Sequence, residues 1–327
     1  MGTWRHPRRG SLQYWPRKRA RREAVRVRCW ANNIKGTGLL GFYGYKVGMT
    51  HVIATDNKPA SMMKGQEVVV PATIVECPPI KILSARFYKK NAYGLYVSGE
   101  VSADKPDKEL ARSLVLPKKV NRTFDDFKEF ENITVLGYTM PKLTGIGKKK
   151  PEVMEFGLAG SKDEKLKFAK EFLGKEITIK DVFKEGQLVD VHAVTKGKGF
   201  QGPRFRFGLK LRQHKAEKTK RGPGSLGGWT TGGHTQWMAP KAGQMGYHTR
   251  TEYNKKIMKV SDKADEINIK GGFNRYGIVR NQYLLIKGSI AGARKRMVRL
   301  NHAIRPTKGT AADSFAIKEM GMELQAK

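Results

Sequence analysis

The stretch GPGSLGGWTTGGHTQWMAPKAGQMG, residues 222–246, constrains this chain most, because it cannot order itself by burying its own side chains. It holds 8 glycines and no acidic residue, valine, isoleucine or phenylalanine. Its larger apolar side chains are Leu226, Trp229, Trp237, Met238 and Met245. No helical or strand periodicity is visible, and glycines raise the entropic cost of fixing the backbone. The stretch is therefore either disordered or ordered by a partner, and its two tryptophans and the flanking charge favour a partner.

The net charge indicates the chemistry of that partner. The 327 residues include 64 Lys and Arg against 29 Asp and Glu, a formal charge of +35. Such a surface repels itself unless a polyanion neutralises it, so we expect nucleic acid first and an anionic membrane surface second. With 39% hydrophobic residues, the chain can still bury a core. It contains no run of 18 apolar residues that could span a bilayer.

The positive charge is concentrated in two segments. Residues 1–30 hold 10 Lys and Arg with one acid, and residues 196–259 hold 15 with two acids. Residues 100–185 are nearly neutral, with 18 basic and 16 acidic residues. A single basic run is usually a solvated face. Here nearly all the excess positive charge lies outside residues 100–185, which indicates that the other parts of the chain contact phosphate. We interpret the N-terminus as a basic arm and not a targeting peptide, because prolines and a glycine interrupt any amphipathic helix there.

Strand and helix signals predict a mainly β protein with an α/β insertion. GTGLLGFYGYKVGMTHVIA, QEVVVPATIVEC, QLVDVHAVTKGKGF and NQYLLIKGSIAG have the β-branched and aromatic content of strands. SKDEKLKFAKEFLG predicts a helix, with Ser161 and Glu164 at capping-box spacing and Gly174 at its C-terminal end. DKELARSLVL and FDDFKEFENI are weaker helix candidates.

These signals divide the chain into six parts. The N-terminal arm covers residues 1–30, and the α/β insertion covers residues 97–182. A long, irregular, Gly-rich basic extension covers residues 204–250. The β core takes the remaining three parts, of which the last includes the C-terminal tail: 31–96, 183–203 and 251–327.

Motifs for cofactor binding lack their structural context. Three segments match G-x-G-x-x-G, beginning at Gly36, Gly197 and Gly222, but none lies between a strand and a helix as a dinucleotide site requires. Cys29 and Cys77 form no CxxC pair, which excludes a sequence-evident zinc site and a disulfide framework. The two cysteines fit a reducing, cytosolic compartment. We expect no cofactor and no small-molecule substrate.

Catalytic and metal-binding groups are equally poorly supported. Ser225 lacks a nucleophile elbow, and the acids that flank it in sequence, Glu217 and Glu252, are not close. His234 and His248 could be metal ligands, but lone histidines in a basic loop more often hydrogen-bond a phosphate or a base edge. We therefore expect no metal site and no enzymatic activity.

Aromatic rings alternate with cations in two segments, a pattern typical of RNA binding. RHPRRGSLQYWPRKRARR places Tyr14 and Trp15 among arginines, which bind phosphate bidentately while rings stack on splayed bases. KGKGFQGPRFRFGLKLRQHK repeats the pattern. We expect Phe200 to enter the protein core because it lies close to a predicted strand, whereas Phe205 and Phe207 could face either core or RNA.

Glycine-bordered segments point to folded RNA and not to duplex DNA. TKGKGFQG, GPGSLGGW and KAGQMGYHTR would let the main chain approach phosphates closely, since glycine has no Cβ. Several such approaches along one chain suit a large, irregular polyanion. No helix-turn-helix, basic zipper or zinc-finger spacing argues for duplex DNA.

The segments VTKGKGFQG, RGPGSLGGW, KAGQMGYHTRTEYNKKI and YLLIKGSIAGARKRMV, with LLGFYGYKVGMTHV and RHPRRGSLQYWPRKRA, resemble the universal ribosomal protein L3 family. The matches run in order from residue 5 to about residue 299. The N-terminal segment resembles the archaeal and eukaryotic branch and not the bacterial one, and the chain as a whole is most similar to archaeal members. The resemblance implies a six-stranded β-barrel of the translation-protein type, with an extension that reaches through large-subunit rRNA towards the peptidyl transferase centre.

The resemblance also implies partners and site residues. It implies a cytoplasmic, ribosomal protein active in early subunit assembly, with large-subunit rRNA and neighbouring ribosomal proteins as partners. Trp229 corresponds to the tip of the extension, whereas Lys220 stands where the eukaryotic pattern has a modifiable histidine, so that modification is not expected. The candidate rRNA-binding residues are Arg8, Arg9, Tyr14, Trp15, Arg17, Lys18, Arg19, Lys196, Lys198, Arg204, Arg206, Arg212, His214, Lys220, Arg221, Trp229, His234, Trp237, Lys241, Gln244, His248, Arg250, Arg294, Lys295 and Arg296.

Two other functional classes are alternatives on the residues alone. A soluble RNA-modifying or RNA-remodelling enzyme with a basic lid would need an acid–base or metal constellation in the basic segments, and none is visible. A membrane-surface protein would need an amphipathic helix with a large apolar face next to the charge, which is also absent from the sequence.

Overall fold

The chain divides into two compact units. In this computed structural model, the described residues are 10–34, 36–58, 61–117, 119, 122–215, 219–224, 226, 235, 237–307 and 315–321. Unit 1 comprises residues 1–22 and 194–249, and unit 2 comprises residues 23–193 and 250–327. The basic arm and the Gly-rich extension, which are far apart in sequence, therefore belong largely to the same unit.

The larger sheet of unit 2 has seven strands. In chain order they are β2 (Gly41–Asp56), β3 (Glu67–Glu76), β9 (Leu188–Val194), β12 (Thr249–Ser261), β13 (Tyr283–Lys287), β14 (Met297–His302) and β15 (Phe315–Gly321). Their order in the sheet is β14-β9-β12-β13-β3-β2-β15, and β14 also pairs with β2. The first half of β2 is buried on both faces and its second half alternates, as expected where only part of a strand is covered on both sides.

The second sheet of unit 2 has six strands. They are β1 (Gly38–Leu39), β4 (Ile80–Asn91), β5 (Gly94–Ser102), β6 (Asn132–Thr139), β7 (Val153–Ala159) and β8 (Glu176–Ile177). The order is β1-β7-β6-β4-β5, with β8 paired to β4. This sheet takes in β4 from Ile80 onwards, so its strands begin before residue 97, where the sequence places the start of the insertion.

The main helix of unit 2 forms where the sequence predicts it. Helix α1 (Lys162–Phe172) begins with the Ser161–Glu164 capping box, which satisfies backbone donors that a helix start leaves open. Gly174 follows its end with φ +74°, a left-handed conformation that glycine adopts without steric penalty. The capping pattern therefore predicted both ends of this helix.

The two weaker helix candidates form only short 3₁₀ turns, at Lys108–Arg112 and Phe124–Asp126. After the second turn, two phenylalanines pack against a ring of β4 and do not continue a helix. Phe127 stacks on Phe87 of β4 with ring centroids 4.6 Å apart, and Phe130 meets the same ring at 5.5 Å. Packing around one ring therefore overrides the helical pattern, and β6 begins at Asn132.

A buried cation anchors the N-terminal part of unit 2. The Arg299 side chain, 2% exposed, lies between the rings of Trp30 and Phe156, with centroids 4.9 and 5.1 Å from its guanidinium carbon. It donates hydrogen bonds to the carbonyl oxygens of Val25 and Glu155. Burial lowers the pKa of Arg299 to about 9. The cation–π contacts and carbonyl acceptors offset part of the cost of burying this charge.

The structure is mainly β, as the sequence predicts. Besides α1, the described helices are α2 (Pro203–Phe207) of unit 1 and short 3₁₀ turns, which include Leu12–Tyr14, Pro141–Leu143 and Ala264–Glu266. Among the described residues, none of these helices has the length and hydropathy needed to cross a lipid bilayer. Unit 1 also carries one two-stranded sheet, formed by β10 (Phe200–Gln201) and β11 (Gly243–Gln244).

Candidate RNA interface

A cluster of rings joins the arm to the extension inside unit 1. The ring of Trp15 stacks on that of Phe207 at 5.9 Å and meets the edge of Trp237 at 5.5 Å. The Arg17 guanidinium lies over Phe207, 4.2 Å from the ring centroid. Phe207 is buried at the centre of this group. Three segments distant in sequence are thus held by contacts that individually contribute about 0.5–1.5 kcal/mol.

The guanidinium of Arg206 ties the same segments together through backbone carbonyls. Its Nε donates to the Gln244 oxygen at 3.0 Å, its Nη1 to Lys241 at 3.0 Å and its Nη2 to Arg17 at 3.2 Å. Arg17 returns a hydrogen bond from Nη1 to the Arg206 oxygen at 2.6 Å. Burial lowers the pKa of Arg206 below its usual value. The planar guanidinium matches three acceptors at once, which a lysine ammonium does less well.

A short backbone ladder extends the pairing of β10 with β11. The paired residues are Thr195–His248, Lys196–Tyr247, Lys198–Met245 and Gly199–Met245, with N–O distances of 2.9–3.2 Å. Gly246 lies in this ladder with φ +73°, and a Cβ built there would collide with the Lys196 carbonyl oxygen. The glycine is therefore required by both backbone conformation and space.

The arm docks on the last residues of this ladder. The Ala20 amide donates to the Tyr247 carbonyl at 2.8 Å, and His248 Nδ1 donates to the Lys18 carbonyl at 3.0 Å. No group of three or more His, Cys, Asp or Glu side chains that could hold a metal occurs in the part of the chain that the structure describes.

The candidate rRNA-binding residues fall into three groups. Those that are exposed are Tyr14, Lys18, Arg19, Lys196, Lys198, His214, Lys220, Arg221, Trp237, Lys241, Arg294 and Lys295. Those that are half-buried are Trp15, Arg17, Arg204, Arg206, Arg212, Gln244, His248, Arg250 and Arg296. Arg8, Arg9, Trp229 and His234 lie outside the described residues.

Several half-buried candidates hold the protein chain itself. Arg17, Arg206 and His248 do so as described above. Arg212 donates from its amide to the Lys220 carbonyl at 3.2 Å and from its guanidinium to the Pro223 carbonyl. Gln244 Nε2 donates to the carbonyls of two residues that follow it. These side chains position the exposed cations around them.

The prediction for Phe200 is wrong. Its side chain is 77% exposed, although β10 begins at this residue. Among the described residues, β10 is two residues long and pairs only with β11, so this small sheet does not bury the ring. Of the two rings left open, Phe207 is buried and Phe205 is 61% exposed. Their positions on α2 explain the difference, because residues two apart on a helix point to different sides.

Exposed rings and cations thus share the surface of unit 1. Tyr14, Trp237, Phe200 and Phe205 each expose half or more of the side chain. Large exposed rings are costly in water unless a partner covers them, and nucleobases are flat partners for stacking. Neighbouring Lys and Arg side chains can neutralise the phosphates of the same strand.

Sequence reasoning missed three exposed cations of unit 2: Lys270, Arg275 and Arg280. They lie in residues 268–281, between a 3₁₀ turn and β13. A signal was present, since this 14-residue segment contains no acid. It is short and less basic than the arm, so it does not stand out in a charge profile.

Known sequences resemble this chain along nearly its whole length. A sequence model of the family described as "Ribosomal protein L3" matches residues 1–320. A protein of Methanosphaera stadtmanae named "Large ribosomal subunit protein uL3" is 47% identical over 317 residues, covering 93% of this chain and 94% of that protein.

Two further relatives carry the same name. The protein of Methanocaldococcus jannaschii is 47% identical and covers 92% of both chains. That of Archaeoglobus fulgidus is 45% identical, covering 93% of this chain and 94% of its own. With a family match that spans both units, the chain belongs to the ribosomal protein L3 family.

Proposed function

We propose that this protein is a structural constituent of the large ribosomal subunit that binds large-subunit rRNA. The observation that carries the proposal is the family match over residues 1–320, with archaeal relatives named large ribosomal subunit protein uL3 at 43–47% identity. The formal charge of +35 supports it, because rRNA supplies the polyanion that such a surface needs. Its location is then the ribosome, in the cytoplasm, and its role is not enzymatic.

Unit 1 supplies a physical basis for rRNA binding. Internal contacts among Arg17, Arg206 and Phe207 set the backbone, while exposed cations and rings surround them. We assign phosphate contacts to the exposed lysines and arginines and base stacking to Tyr14 and Trp237. Arg17, Arg206, Arg212, Gln244 and His248 position that backbone. The other candidate residues of the arm and extension contact rRNA in the same way, and neighbouring ribosomal proteins are further partners.

For unit 2 we further propose a six-stranded barrel of the translation-protein type. It is supported by the strand order β14-β9-β12-β13-β3-β2, in which β14 also pairs with β2. We propose that residues 97–182, which contain β6, β7, β8 and α1, form the α/β insertion. We further propose that residues 204–250 extend through rRNA towards the peptidyl transferase centre and that binding occurs early in subunit assembly.

Co-sedimentation tests the main proposal. A tagged chain expressed in its own host should travel with large subunits through a sucrose cushion and remain bound after a high-salt wash. Proteins held only by surface charge leave under those conditions, because salt screens exposed charges. Recovery of the chain in the soluble fraction, with none on large subunits, would refute a role as a ribosomal constituent.

Trp229 tests the proposed path of the extension. If this ring faces RNA, Trp229→Ala should leave the melting temperature of the free protein nearly unchanged and alter peptidyl transfer on assembled subunits. The control is Trp30→Ala. Because Trp30 packs against Arg299, this substitution should lower the melting temperature. A large decrease in the melting temperature of Trp229→Ala would indicate that Trp229 packs in the protein core and does not face RNA.

A further inference from the structure

Three basic loops of unit 2 lie side by side: residues 142–150, 268–281 and 288–296. Together they contain ten Lys and Arg residues and no Asp or Glu. Arg294 donates from Nη1 to the Asn274 carbonyl, which joins the third loop to the second. Asn281 Nδ2 donates to the Leu143 carbonyl at 3.2 Å, which joins the second loop to the first. We call this surface the three-loop surface.

A buried carboxylate holds the middle loop. Glu76, at the end of β3, is fully buried, and its Oε1 accepts from the amides of Arg280 at 2.9 Å and Asn281 at 3.0 Å. The same oxygen accepts from Asn281 Nδ2 at 2.7 Å, and Oε2 accepts from the Tyr276 hydroxyl. Charge-assisted hydrogen bonds to backbone amides fix a loop more firmly than neutral ones.

A buried cation holds the third loop in the same manner. Lys46, 8% exposed, donates from Nζ to the carbonyls of Ile290 and Gly292. Its backbone also pairs with this loop, through Lys295 N to Lys46 O at 2.8 Å and Lys46 N to Arg296 O at 3.0 Å. Lys46 is the register partner of Val75, the neighbour of Glu76, so two adjacent strands carry both anchors.

Two exposed cations of this surface sit in a strained backbone. Arg275 has φ +62° and Lys295 has φ +67°, in the left-handed region that favours glycine. A non-glycine residue is strained in this region, and such strain tends to occur at functional sites. Glycine occupies the nearby positions with positive φ, Gly277 and Gly292. That Arg275 and Lys295 are long cations and not glycines therefore favours a role for their side chains.

Most of the cations have no acidic partner. Lys142, Lys148 and Arg296 pair with Glu109, Glu152 and Glu23. The other seven side chains lie in exposed positions, and none forms an ion pair with a described carboxylate: Lys149, Lys150, Lys270, Arg275, Arg280, Arg294 and Lys295. Seven like charges on adjoining loops repel one another, and an anion bound among them would offset that repulsion.

The other side chains of the surface indicate which anion it fits. Its rings, Phe273 and Tyr276, are buried, so it offers no platform for base stacking. Leu143 and Ile278 are its exposed large aliphatic side chains, too few for the apolar centre that protein interfaces contain. Exposed cations on three joined loops, without exposed stacking rings, suit the phosphates of a folded RNA backbone, which is recognised by shape and charge.

We propose that the three-loop surface is a second RNA-binding site, on unit 2, that takes the phosphate backbone of folded rRNA without reading its sequence. The inference rests on the proposed rRNA-binding function and adds a site apart from the arm and extension. Glu76 and Lys46 act as internal positioning groups, and the exposed cations of the loops contact the phosphates.

Salt-dependent binding of the full chain tests this site. The variant Lys270→Gln/Arg275→Gln/Arg280→Gln removes three exposed cations that form no ion pair with a described carboxylate. The matched control Arg112→Gln/Lys128→Gln/Lys167→Gln removes three exposed cations of the near-neutral segment, so net charge is equal in both. Melting temperatures of both variants should match that of the wild-type chain, which verifies folding.

The probe is archaeal large-subunit rRNA transcribed in vitro, with Kd measured across a salt series. The loop variant should lower the slope of log affinity against log salt by roughly two to three, and weaken binding about a hundredfold near 0.15 M salt. The control variant should lower the slope by less than one. Equal slopes for the two variants would overturn the second site while the wild-type affinity still supports the proposed function.

A cross-link in assembled subunits separates RNA from an acidic protein. A photoreactive group attached to Arg275→Cys, in a chain whose exposed Cys29 is replaced by serine, should label rRNA. Labelling of ribosomal protein alone would overturn the proposal in favour of a protein partner. Failure of the wild-type chain to bind the rRNA probe at all would instead refute the proposed function, and this site with it.

Discussion

Arg204 and Arg206 lie two residues apart on the same short helix, yet they have different environments. Arg206 donates to three backbone carbonyls, whereas the Arg204 guanidinium lies 5.8 Å from the neighbouring Phe205 ring. Sequence assigned both to RNA binding on equal grounds. At the scale of the residue, the acceptors around each guanidinium separate a positioning role from a contact role.

Replacing Arg206 by lysine should therefore destabilise unit 1. Arg206→Lys keeps the charge but cannot serve three acceptors in a plane, so the part-buried carbonyls of Gln244 and Arg17 lose their donors, at a cost of about 1–3 kcal/mol. Limited proteolysis of the free protein should cut faster within residues 204–250. Arg204→Lys is the matched control, and the protease should cut it at the wild-type rate. Identical rates for both variants would contradict the positioning role.

His192 makes the stability of unit 2 sensitive to acid. Its Nδ1 lies 2.9 Å from Thr251 Oγ1, and its Nε2 lies 3.3 Å from Asn301 Nδ2. Because the amide nitrogen can only donate, Nε2 accepts and Nδ1 carries the proton of a neutral ring. Burial, and next the nearby Arg299 charge, lower the pKa of His192 to about 4, while Asp190 opposes them.

The free energy of unfolding should fall as pH decreases from about 6.5 to about 4. The unfolded chain binds a proton near the ordinary histidine value, whereas the folded chain resists protonation until about pH 4, so the stability is complete above this window. His192 contributes about 3 kcal/mol to the fall. In urea unfolding, His192→Gln should show a shallower pH dependence than the wild type, and His214→Gln should show the same dependence. A His192→Gln profile that overlays the wild-type profile would contradict this account.

At the scale of the element, the turn at Gly246 decides whether the β10–β11 ladder can form. Gly246→Ala places a Cβ on the Lys196 carbonyl and requires a left-handed alanine, so we expect a loss of about 2 kcal/mol or more. Hydrogen exchange at the amides of Lys198 and Tyr247 should accelerate.

Gly202→Ala is the control for that prediction. Gly202 precedes α2 with φ −67°, and a Cβ there meets nothing within 4 Å. In the Gly202→Ala variant, the amides of Lys198 and Tyr247 should exchange at the wild-type rate, or slightly more slowly, because alanine restricts the unfolded chain. Slow exchange at Lys198 in Gly246→Ala would show that the ladder tolerates a side chain there.

At the scale of the whole molecule, the two units differ in how much apolar surface they bury. Among the described residues, unit 1 has Val194, Phe207 and Ala239 as its buried hydrophobic side chains, whereas one cluster in unit 2 spans most of its strands. Local opening costs less free energy where few apolar groups are buried. Unit 1 should therefore exchange its amide hydrogens faster than unit 2.

Native-state hydrogen exchange of the free protein measures this difference. Amides of Lys198 and Met245 should be less protected than those of Ile74 and Leu285, and added rRNA should slow the first pair more than the second. Equal protection in the free protein would mean that unit 1 is as stable as unit 2 without RNA.

The sequence alone determined the features whose causes are local or additive. The Ser161–Glu164 capping box and Gly174 predicted α1, and runs of β-branched residues predicted β2, β3, β9 and β13. Charge is a sum over residues, so +35 indicated a polyanionic partner before any contact was known. The L3 motifs identified the family because each is a contiguous segment.

The tertiary structure decided everything that depends on which segments meet. Phe200 and Phe207 lie on similar basic segments, but one is exposed and the other buried, since burial depends on the arm residues that reach α2. The three-loop surface joins residues more than 120 positions apart through Asn281 and Leu143, and Glu76 anchors it from a strand about 200 residues upstream. Periodicity and composition describe neighbours along the chain, whereas such contacts arise only when the strands pair and bring distant loops together.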